Sequence, residues 1–163
     1  MMRIGVITIS DRGYRGERED ASGEVIREMV RGLGGEVAFS TVVPDEQEEI
    51  KRVLIQGADE MGLDLIVTTG GTGVSPRDVT PDATRAVIEQ EIPGFAEAMR
   101  MEGLKKTPHA MISRALCGVR GRTLICNLPG SPKAVREGLE VILPAIPHAV
   151  AKLQGDPGEC GGE

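Results

Sequence analysis

The chain has 163 residues, of which 40% are hydrophobic and 27% charged, a composition and length that suit one domain with a hydrophobic core. The formal net charge of −6, the lack of a basic block and an aromatic content of only 2% disfavour a surface for nucleic acid. No apolar stretch is long enough to span a membrane, and a strand pattern begins at Arg3, so we expect a cytoplasmic protein without signal peptide, membrane partner or nucleic-acid partner.

Apolar, β-branched runs alternate with amphipathic segments along the chain. In chain order, we predict a strand at Arg3–Ile9, a helix from Ser22 to the glycines at 34–35, a strand at 37–43, a helix opened by Asp45, a strand at 63–68, helices from Thr80-Pro81 and from Pro93, strands at 111–119 and 122–126, a helix from Ser131-Pro132 to about 143, and a last helix near Leu153. The alternation predicts an α/β fold, a three-layer α/β/α sandwich around a mostly parallel, mixed sheet. One domain is expected over residues 1–154, followed by a flexible tail at 155–163.

Polar motifs follow the predicted strands at the point where each strand ends. Ser10 and Asp11 follow the first strand, Asp45 the second, a glycine-rich loop at 70–73 the third, and the segment 127–131 the last. Ligands of open α/β sheets bind at the carboxyl ends of strands. We therefore expect these motifs to converge on one crevice.

The glycine-rich loop lies in the segment TTGGTGVSPRDVTPD at residues 68–82. Its glycines allow backbone N–H groups to approach an anion closely, and Arg77 and Asp78 add a cation and a carboxylate. The spacing matches neither the dinucleotide fingerprint nor the P-loop. An anion-holding loop beside a carboxylate that can bind Mg²⁺ suits a nucleotide phosphate. The alternative is a tight turn between a strand and a helix.

The aspartates of these motifs differ in how easily a structural role explains them. Asp45 fits a capping box with the glutamate three residues on, so it is either a helix cap or a ligand. Asp78 lies between the glycines and the next cap, with no evident structural task. Asp82 falls in a first helical turn, where the helix dipole favours an anion. Asp11 and Asp20 are each either a ligand or a turn residue.

The segment NLPGS at 127–131 places a carboxamide, a tight turn and a helix N-terminus together. This arrangement suits an oxyanion or a polar heterocycle, and the alternative is a strand–turn–helix junction with a serine cap. The three cysteines form no C-x-x-C pair, so neither a disulfide framework nor a zinc site is predicted. His109 and His148 have no serine or cysteine arranged as a nucleophile pair, which disfavours a triad hydrolase.

With these motifs the chain resembles the molybdopterin adenylyltransferases, a family that includes the bacterial MogA and MoaB proteins and the G domains of plants and of gephyrin. The resemblance rests on ISD at 9–11, DASG at 20–23, VPD at 43–45, TGGTG at 69–73, RDVTPDAT at 77–84, PGF at 93–95, SR at 113–114 and NLPGS at 127–131. It spans about residues 3–153. It implies a three-layer α/β/α domain that is usually a trimer.

The resemblance also implies a reaction of Mg·ATP with molybdopterin that gives adenylylated molybdopterin and pyrophosphate, with a molybdate-inserting enzyme downstream. It assigns catalysis and Mg²⁺ binding to Asp45 and Asp78. The implied substrate and nucleotide contacts are Ser10, Asp11, Asp20, Gly70, Gly71, Thr72, Gly73, Arg77, Ser113, Asn127, Pro129, Gly130 and Ser131, with the pterin near Ser113 and Asn127 and the nucleotide near the glycines. Two alternatives stay open: a non-catalytic molybdopterin-binding scaffold of the same fold, and a pyridine-nucleotide amidohydrolase of the competence-damage-protein type.

Overall fold

The computed structural model describes residues 1–158 and arranges six strands in one sheet. The strands are β1 (Arg3–Ile9), β2 (Glu36–Val43), β3 (Leu65–Thr69), β4 (Gln90–Glu91), β5 (Cys117–Arg120) and β6 (Thr123–Leu128). Their order is β2-β1-β3-β6-β5-β4. The four strands from β2 to β6 run parallel, and β5 and β4 continue the sheet antiparallel. The prediction of a mostly parallel, mixed sheet is therefore confirmed.

Seven helices accompany the strands in the described residues. They are α1 (Asp11–Tyr14), α2 (Ala21–Val30), α3 (Gln47–Ile55), α4 (Thr80–Val87), α5 (Pro93–Leu104), α6 (Pro132–Ile142) and α7 (Ile146–Leu153). The prediction of a strand at 111–119 is wrong over most of its length, because Pro108–Ile112 forms a 3₁₀ turn and β5 begins only at Cys117. The turn starts with Thr107, whose hydroxyl accepts a hydrogen bond from the His109 N–H, and with a proline suited to a first helical position.

The sheet separates two hydrophobic cores, which explains the apolar runs of the central strands. Alternate residues of β1, β3 and β6 pack towards α2, α5, α6 and α7 on one face, and their neighbours pack towards α3 and α4 on the other. The three-layer α/β/α sandwich is thus confirmed. No helix among residues 1–158 combines the length and apolarity needed to cross a membrane. Residues 159–163 of the predicted tail lie outside the described residues.

Asp45 and Thr80 stand where helices were predicted to begin, but neither side chain caps its helix, and the contacts that they make instead matter for the site. Asp45 does not cap α3, because Glu46 occupies the cap position and the Asp45 carboxylate accepts a hydrogen bond from the Asp11 N–H at 2.8 Å. Thr80 lies inside α4 rather than before it, and its hydroxyl donates to the Gly70 carbonyl at 2.9 Å. Both side chains are drawn to partners that are distant in sequence.

Two other caps act on the helices that begin at the carboxyl ends of strands. Asp20 caps α2, with its carboxylate accepting from the Gly23 N–H at 3.0 Å and from the Thr8 hydroxyl at 2.7 Å. The predicted cap at Ser131 is confirmed, since its hydroxyl accepts from the Ala134 N–H at 3.2 Å.

Strand β1 pairs with β2 on one side and β3 on the other, so the connections leave in opposite directions. This topological switch opens a crevice at the carboxyl ends of the strands.

Asn127 lies wholly inside the protein, with an exposed fraction of 0%. Its Oδ1 accepts from the Leu116 N–H at 3.3 Å, and its Nδ2 donates to the Thr68 and Thr84 hydroxyls, each at 3.0 Å. The amide therefore joins β6 to β3, to α4 and to the residue before β5. The expected contact between this side chain and a pterin is not available in this arrangement, because every polar atom of the amide faces the protein.

We expect Asn127→Ala to lower the free energy of unfolding by about 1–3 kcal/mol or more, since it leaves a buried N–H and two hydroxyls without their partner. Urea denaturation measures the loss. Gln154→Ala is the matched control, because that exposed amide donates only to Asp64 and its removal should change the stability little. Equal stabilities of Asn127→Ala and the wild type would contradict the structural role.

Candidate active site

A cavity of about 640 Å³ opens at the carboxyl ends of the parallel strands. It brings together many of the residues that the sequence motifs single out. Those lining the cavity are Ser10, Asp11, Asp20, Asp45, Gly70, Gly71, Asp78, Gly130 and Ser131. The residues come from the loops after β1, β2, β3 and β6, so the four strand-end motifs share one crevice.

Asp11 and Asp45 hold each other by reciprocal hydrogen bonds to the backbone. The Asp11 N–H donates to Asp45 Oδ2 at 2.8 Å, and the Asp45 N–H donates to Asp11 Oδ1 at 3.0 Å. A third bond, from the Ser10 N–H to the Val43 carbonyl at 2.9 Å, extends the pairing of β1 and β2 up to this point. The two carboxylates are therefore fixed relative to the ends of both strands.

The two carboxyl groups have opposite electrostatic surroundings. Burial raises the pKa of Asp45 above its ordinary value, and the negative charges of Asp11 and Asp78 raise it further, against the lowering effect of the bond from the Asp11 N–H. The hydrogen bonds from Arg77 lower the pKa of Asp11. Asp45 is therefore the carboxylate whose negative charge the surroundings favour least.

Arg77 is engaged by protein carboxylates. Its Nε donates to Asp11 Oδ2 at 3.1 Å and its Nη2 to Asp11 Oδ1 at 3.0 Å, a bidentate pair. The same Nη2 donates to Glu46 at 2.9 Å. The structure thus shows Arg77 positioning Asp11, and Arg77 does not line the cavity, while its contact with a nucleotide stays a prediction.

The first two glycines of the loop are required by close backbone approaches. Gly70 has φ of +101°, and a Cβ there would lie 2.3 Å from the Ile9 carbonyl oxygen. Gly71 has φ of +66°, and a Cβ there would lie 2.4 Å from the Thr80 hydroxyl and 3.2 Å from Asp45 Oδ1. The Gly70 N–H donates to the Leu128 carbonyl, so this N–H is not free to hold an anion. The tight turn and the placement of Asp45 are thus parts of one geometry.

Asp78 has a structural contact after all, contrary to expectation. Its Oδ2 accepts from the Ser75 N–H at 3.0 Å, which closes the loop between the glycines and α4. A Cβ at Gly73 would lie 2.9 Å from the same oxygen, so the third glycine makes room for this carboxylate. Asp78 nevertheless lines the cavity, close enough for its charge to raise the pKa of Asp45.

Arg114 organises the same loop, and the sequence motifs gave it no role of its own. Its backbone N–H donates to the Thr72 carbonyl at 2.7 Å, and its guanidinium donates to the carbonyls of Gly73 at 2.8 Å and Asp78 at 2.7 Å. It also pairs with the Asp82 carboxylate at 3.2 Å. The only signal in the sequence was its membership of the SR segment at 113–114.

A second cavity, of about 630 Å³, lies between α5 and α6. Ser113 and Pro129 line this second cavity, while Gly130 and Ser131 line the first. The turn at 129–131 therefore stands between the two spaces. The remaining predicted residues, Thr72, Gly73, Arg77 and Asn127, line neither of them.

Residues 1–158 contain no group of three or more His, Cys, Asp or Glu side chains that could enclose a metal ion. Asp45 and Asp78 are the carboxylates beside the glycine loop that could hold one together with oxygen atoms from a substrate and from water. Such shared coordination is how Mg²⁺ is commonly bound at phosphate sites.

A family model described as "Probable molybdopterin binding domain" matches residues 5–148. The molybdopterin adenylyltransferase of Helicobacter pylori strain ATCC 700392 / 26695 is 45% identical over 157 residues, which cover 95% of this chain and 89% of that protein. The molybdopterin adenylyltransferase of Escherichia coli strain K12 is 39% identical over 168 residues, covering 94% of this chain and 86% of that protein. The crystal structure of the molybdopterin biosynthesis enzyme MoaB from Thermus thermophilus superposes with a TM-score of 0.91 at 55% identity, covering 98% of this chain and 100% of that chain. The chain therefore belongs to the molybdopterin-binding domain family of the MogA and MoaB proteins.

Proposed function

We propose that the chain is a molybdopterin adenylyltransferase of molybdenum cofactor biosynthesis, which transfers AMP from ATP to the terminal phosphate of molybdopterin and releases pyrophosphate. The relatives named as adenylyltransferases support this activity. The observation that carries it is the half-buried carboxylate of Asp45, held by Asp11 beside Gly71 and facing the charge of Asp78 in one cavity.

The reaction asks the protein mainly to position charged groups. A terminal phosphate oxygen of molybdopterin attacks the α-phosphorus of ATP, and the bond from that phosphorus to the bridging oxygen breaks, with its electron pair leaving on pyrophosphate. Little covalent work falls to the side chains, so alignment and charge neutralisation dominate the rate. The reciprocal bonds of Asp11 and Asp45 serve this end by fixing the carboxylates before any substrate arrives.

We propose Mg²⁺ as the ion held by Asp45 and Asp78. The donor set fits, because both are carboxylates, and burial with two neighbouring negative charges leaves Asp45 in need of a positive partner. When bound, Mg²⁺ offsets charge on the phosphates between nucleophile and leaving group. The chain's own residues hold the carboxylate oxygens in place. Arg77 donates to the Asp11 carboxylate, and Arg114 donates to the Gly73 carbonyl of the glycine loop.

The second cavity offers a place for the pterin. It adjoins the first across the turn at 129–131, and Ser113 at its wall is the residue that the resemblance places on the pterin side. A substrate that spans both spaces would bring its phosphate towards Asp45 and its ring system towards α5 and α6.

We propose that the adenylylated product then passes to a molybdate-inserting enzyme.

We expect both Asp45→Asn and Asp78→Asn to abolish formation of adenylylated molybdopterin from Mg²⁺, ATP and molybdopterin. Each change removes a negative charge but keeps an oxygen that can accept the bond from Asp11 or Ser75, so the fold should persist. Product analysis by chromatography checks the loss, and molybdopterin binding should survive in both variants.

Asp59→Asn is the control for these variants, because Asp59 pairs with Arg120 far from the cavity. It should retain activity. Near wild-type product formation by Asp78→Asn would contradict the proposed metal role. A wild-type protein that binds molybdopterin without consuming ATP would favour a scaffold, and hydrolysis of a pyridine nucleotide would favour the amidohydrolase alternative.

The raised pKa of Asp45 should make this carboxylate a source of instability at neutral pH in metal-free protein. Because folding raises the pKa above its ordinary 3.8, the folded state binds more protons than the unfolded state, and stability falls as the pH rises through that interval. In EDTA, Asp45→Asn should therefore have a higher melting temperature than wild type at pH 7. The difference should disappear below about pH 4.

Asp59 provides a control of opposite sign for this titration. Arg120 lowers its pKa, so its charged form stabilises the folded state above the ordinary pKa, and Asp59→Asn should lower the melting temperature at pH 7. Calorimetry between about pH 3 and pH 8 compares the two variants with the wild type. A lower melting temperature of Asp45→Asn at pH 7 would contradict the unfavourable charge at this position.

We propose a homotrimer, as the family resemblance implies. Exposed apolar side chains on α5 and the following 3₁₀ turn offer a surface to bury, among them Met101 at 68% and Met111 at 68% exposure. Light scattering should give three times the chain mass of 17.3 kDa. Met101→Glu combined with Met111→Glu should reduce this mass, whereas Val74→Glu, next to the glycine loop and at a side chain 70% exposed, should leave it unchanged. A wild-type monomer at micromolar concentration would exclude the trimer.

A further inference from the structure

The cavity at the strand ends has an acidic lining with two cationic side chains. The acidic residues that line it are Asp11, Glu19, Asp20, Asp45 and Asp78. Among the described residues of the lining, Arg12 and Arg18 are the only cations. A polyphosphate that enters this space meets an excess of like charge, so the positions of the two arginines decide where it can be held.

The other arginines near the cavity are already engaged by the fold. Arg77 is bonded to Asp11 and Glu46, and Arg114 to Asp82 and to loop carbonyls. Their guanidinium groups neutralise or brace protein groups, so their positive charge is largely compensated within the protein. Neither of them lines the cavity.

Arg12 and Arg18 are in the opposite situation. Both side chains belong to exposed residues, and within residues 1–158 neither guanidinium forms an ion pair. The acidic neighbour in the same loop, Glu17, pairs with Arg15 at 3.1 Å, and Arg15 does not line the cavity. Two guanidinium groups without an ion pair in the described residues thus line this cavity, whereas Arg77 and Arg27, which lie outside its lining, pair with Asp11 and Asp20.

We propose, building on the adenylyl transfer proposed above, that Arg12 and Arg18 bind the β- and γ-phosphates of ATP and hold the pyrophosphate as it leaves. When the new bond to the α-phosphorus forms, the bond to the bridging oxygen breaks and its electron pair adds negative charge to pyrophosphate. Guanidinium groups match phosphate oxygens in geometry and stay charged at all relevant pH values. No proton or redox partner is needed for this step.

Two separated cations favour a diphosphate over a single phosphate as their ligand. Arg12 lies in α1, directly after β1, and Arg18 lies at the far end of the same loop, two residues before Asp20. In the proposed arrangement each binds a different phosphate of one polyphosphate chain. Molybdopterin also carries a phosphate that a guanidinium could bind, but only one. Titration with pyrophosphate and with molybdopterin therefore distinguishes the two ligands.

The test is titration calorimetry of the full chain with pyrophosphate and Mg²⁺, and separately with inorganic phosphate and with molybdopterin. Arg12→Gln and Arg18→Gln should each weaken pyrophosphate binding about tenfold, as expected for loss of one charge-assisted contact. Arg15→Gln is the matched control, from the same loop but paired with Glu17, and should bind as the wild type does. Arg18→Lys should recover part of the affinity, and KM for ATP should rise in the glutamine variants.

Pyrophosphate affinities equal to wild type in Arg12→Gln and Arg18→Gln would overturn the assignment, and so would a wild type that does not bind pyrophosphate at millimolar concentration. Loss of molybdopterin binding with unchanged pyrophosphate binding would overturn it as well, since the arginines would then serve the pterin phosphate. Calorimetry needs no turnover, so this result is separate from the proposed activity. The two proposals can therefore fail separately. If the wild type binds pyrophosphate and the variants do not, but the wild type makes no adenylylated product, the polyphosphate site stands and the adenylyl transfer is rejected.

Discussion

The reciprocal hydrogen bonds between Asp11 and Asp45 are the contact on which the active-site end of the molecule depends. Parallel strands diverge into separate loops where they end, and backbone pairing alone stops at Ser10 and Val43. The two aspartates continue the pairing through their side chains, each carboxylate accepting the other's N–H. The spacing of β1 and β2 thereby sets the positions of the two carboxylates, so these positions do not depend on the conformation of a flexible loop.

This contact places a negative charge where the surroundings oppose it. Arg77 compensates Asp11, but Asp45 is half-buried, faces the glycine loop and has the charges of Asp11 and Asp78 nearby. A carboxylate in such surroundings is typical of a site where stability is lowered in favour of function, and the proposed cation would complete its charge balance.

The sequence predicts the sheet, the two helical layers and the convergence of strand-end motifs, because these follow from local periodicity and from the rule that parallel strands end together. It fails where a polar side chain has a partner distant in the chain. The spacing around Asp45 fits a helix cap, and only the bond from the Asp11 N–H, 34 residues away, shows that the carboxylate has another partner. Asn127 looks like an exposed carboxamide before a turn, yet β3 and α4 enclose it. The bonds of Arg114 to the glycine loop span 36 and 41 residues, beyond any local pattern.

These distant contacts have a common effect, which is to fix the segments that surround the cavity. Three contacts fix the glycine loop. Arg114 donates to the Gly73 carbonyl, the Thr80 hydroxyl donates to the Gly70 carbonyl, and Asp78 accepts from the Ser75 N–H. A loop restrained on every side has little conformational entropy left to lose when substrate binds, so more of the binding energy remains for alignment. Between β1 and α2, Arg12 and Arg18 line the cavity and form no ion pair in the described residues, so their side chains are available to an anionic substrate. The carboxylates at the strand ends are thus held by bonds within the fold, and the positive charge for an anionic substrate comes from exposed arginine side chains beside them.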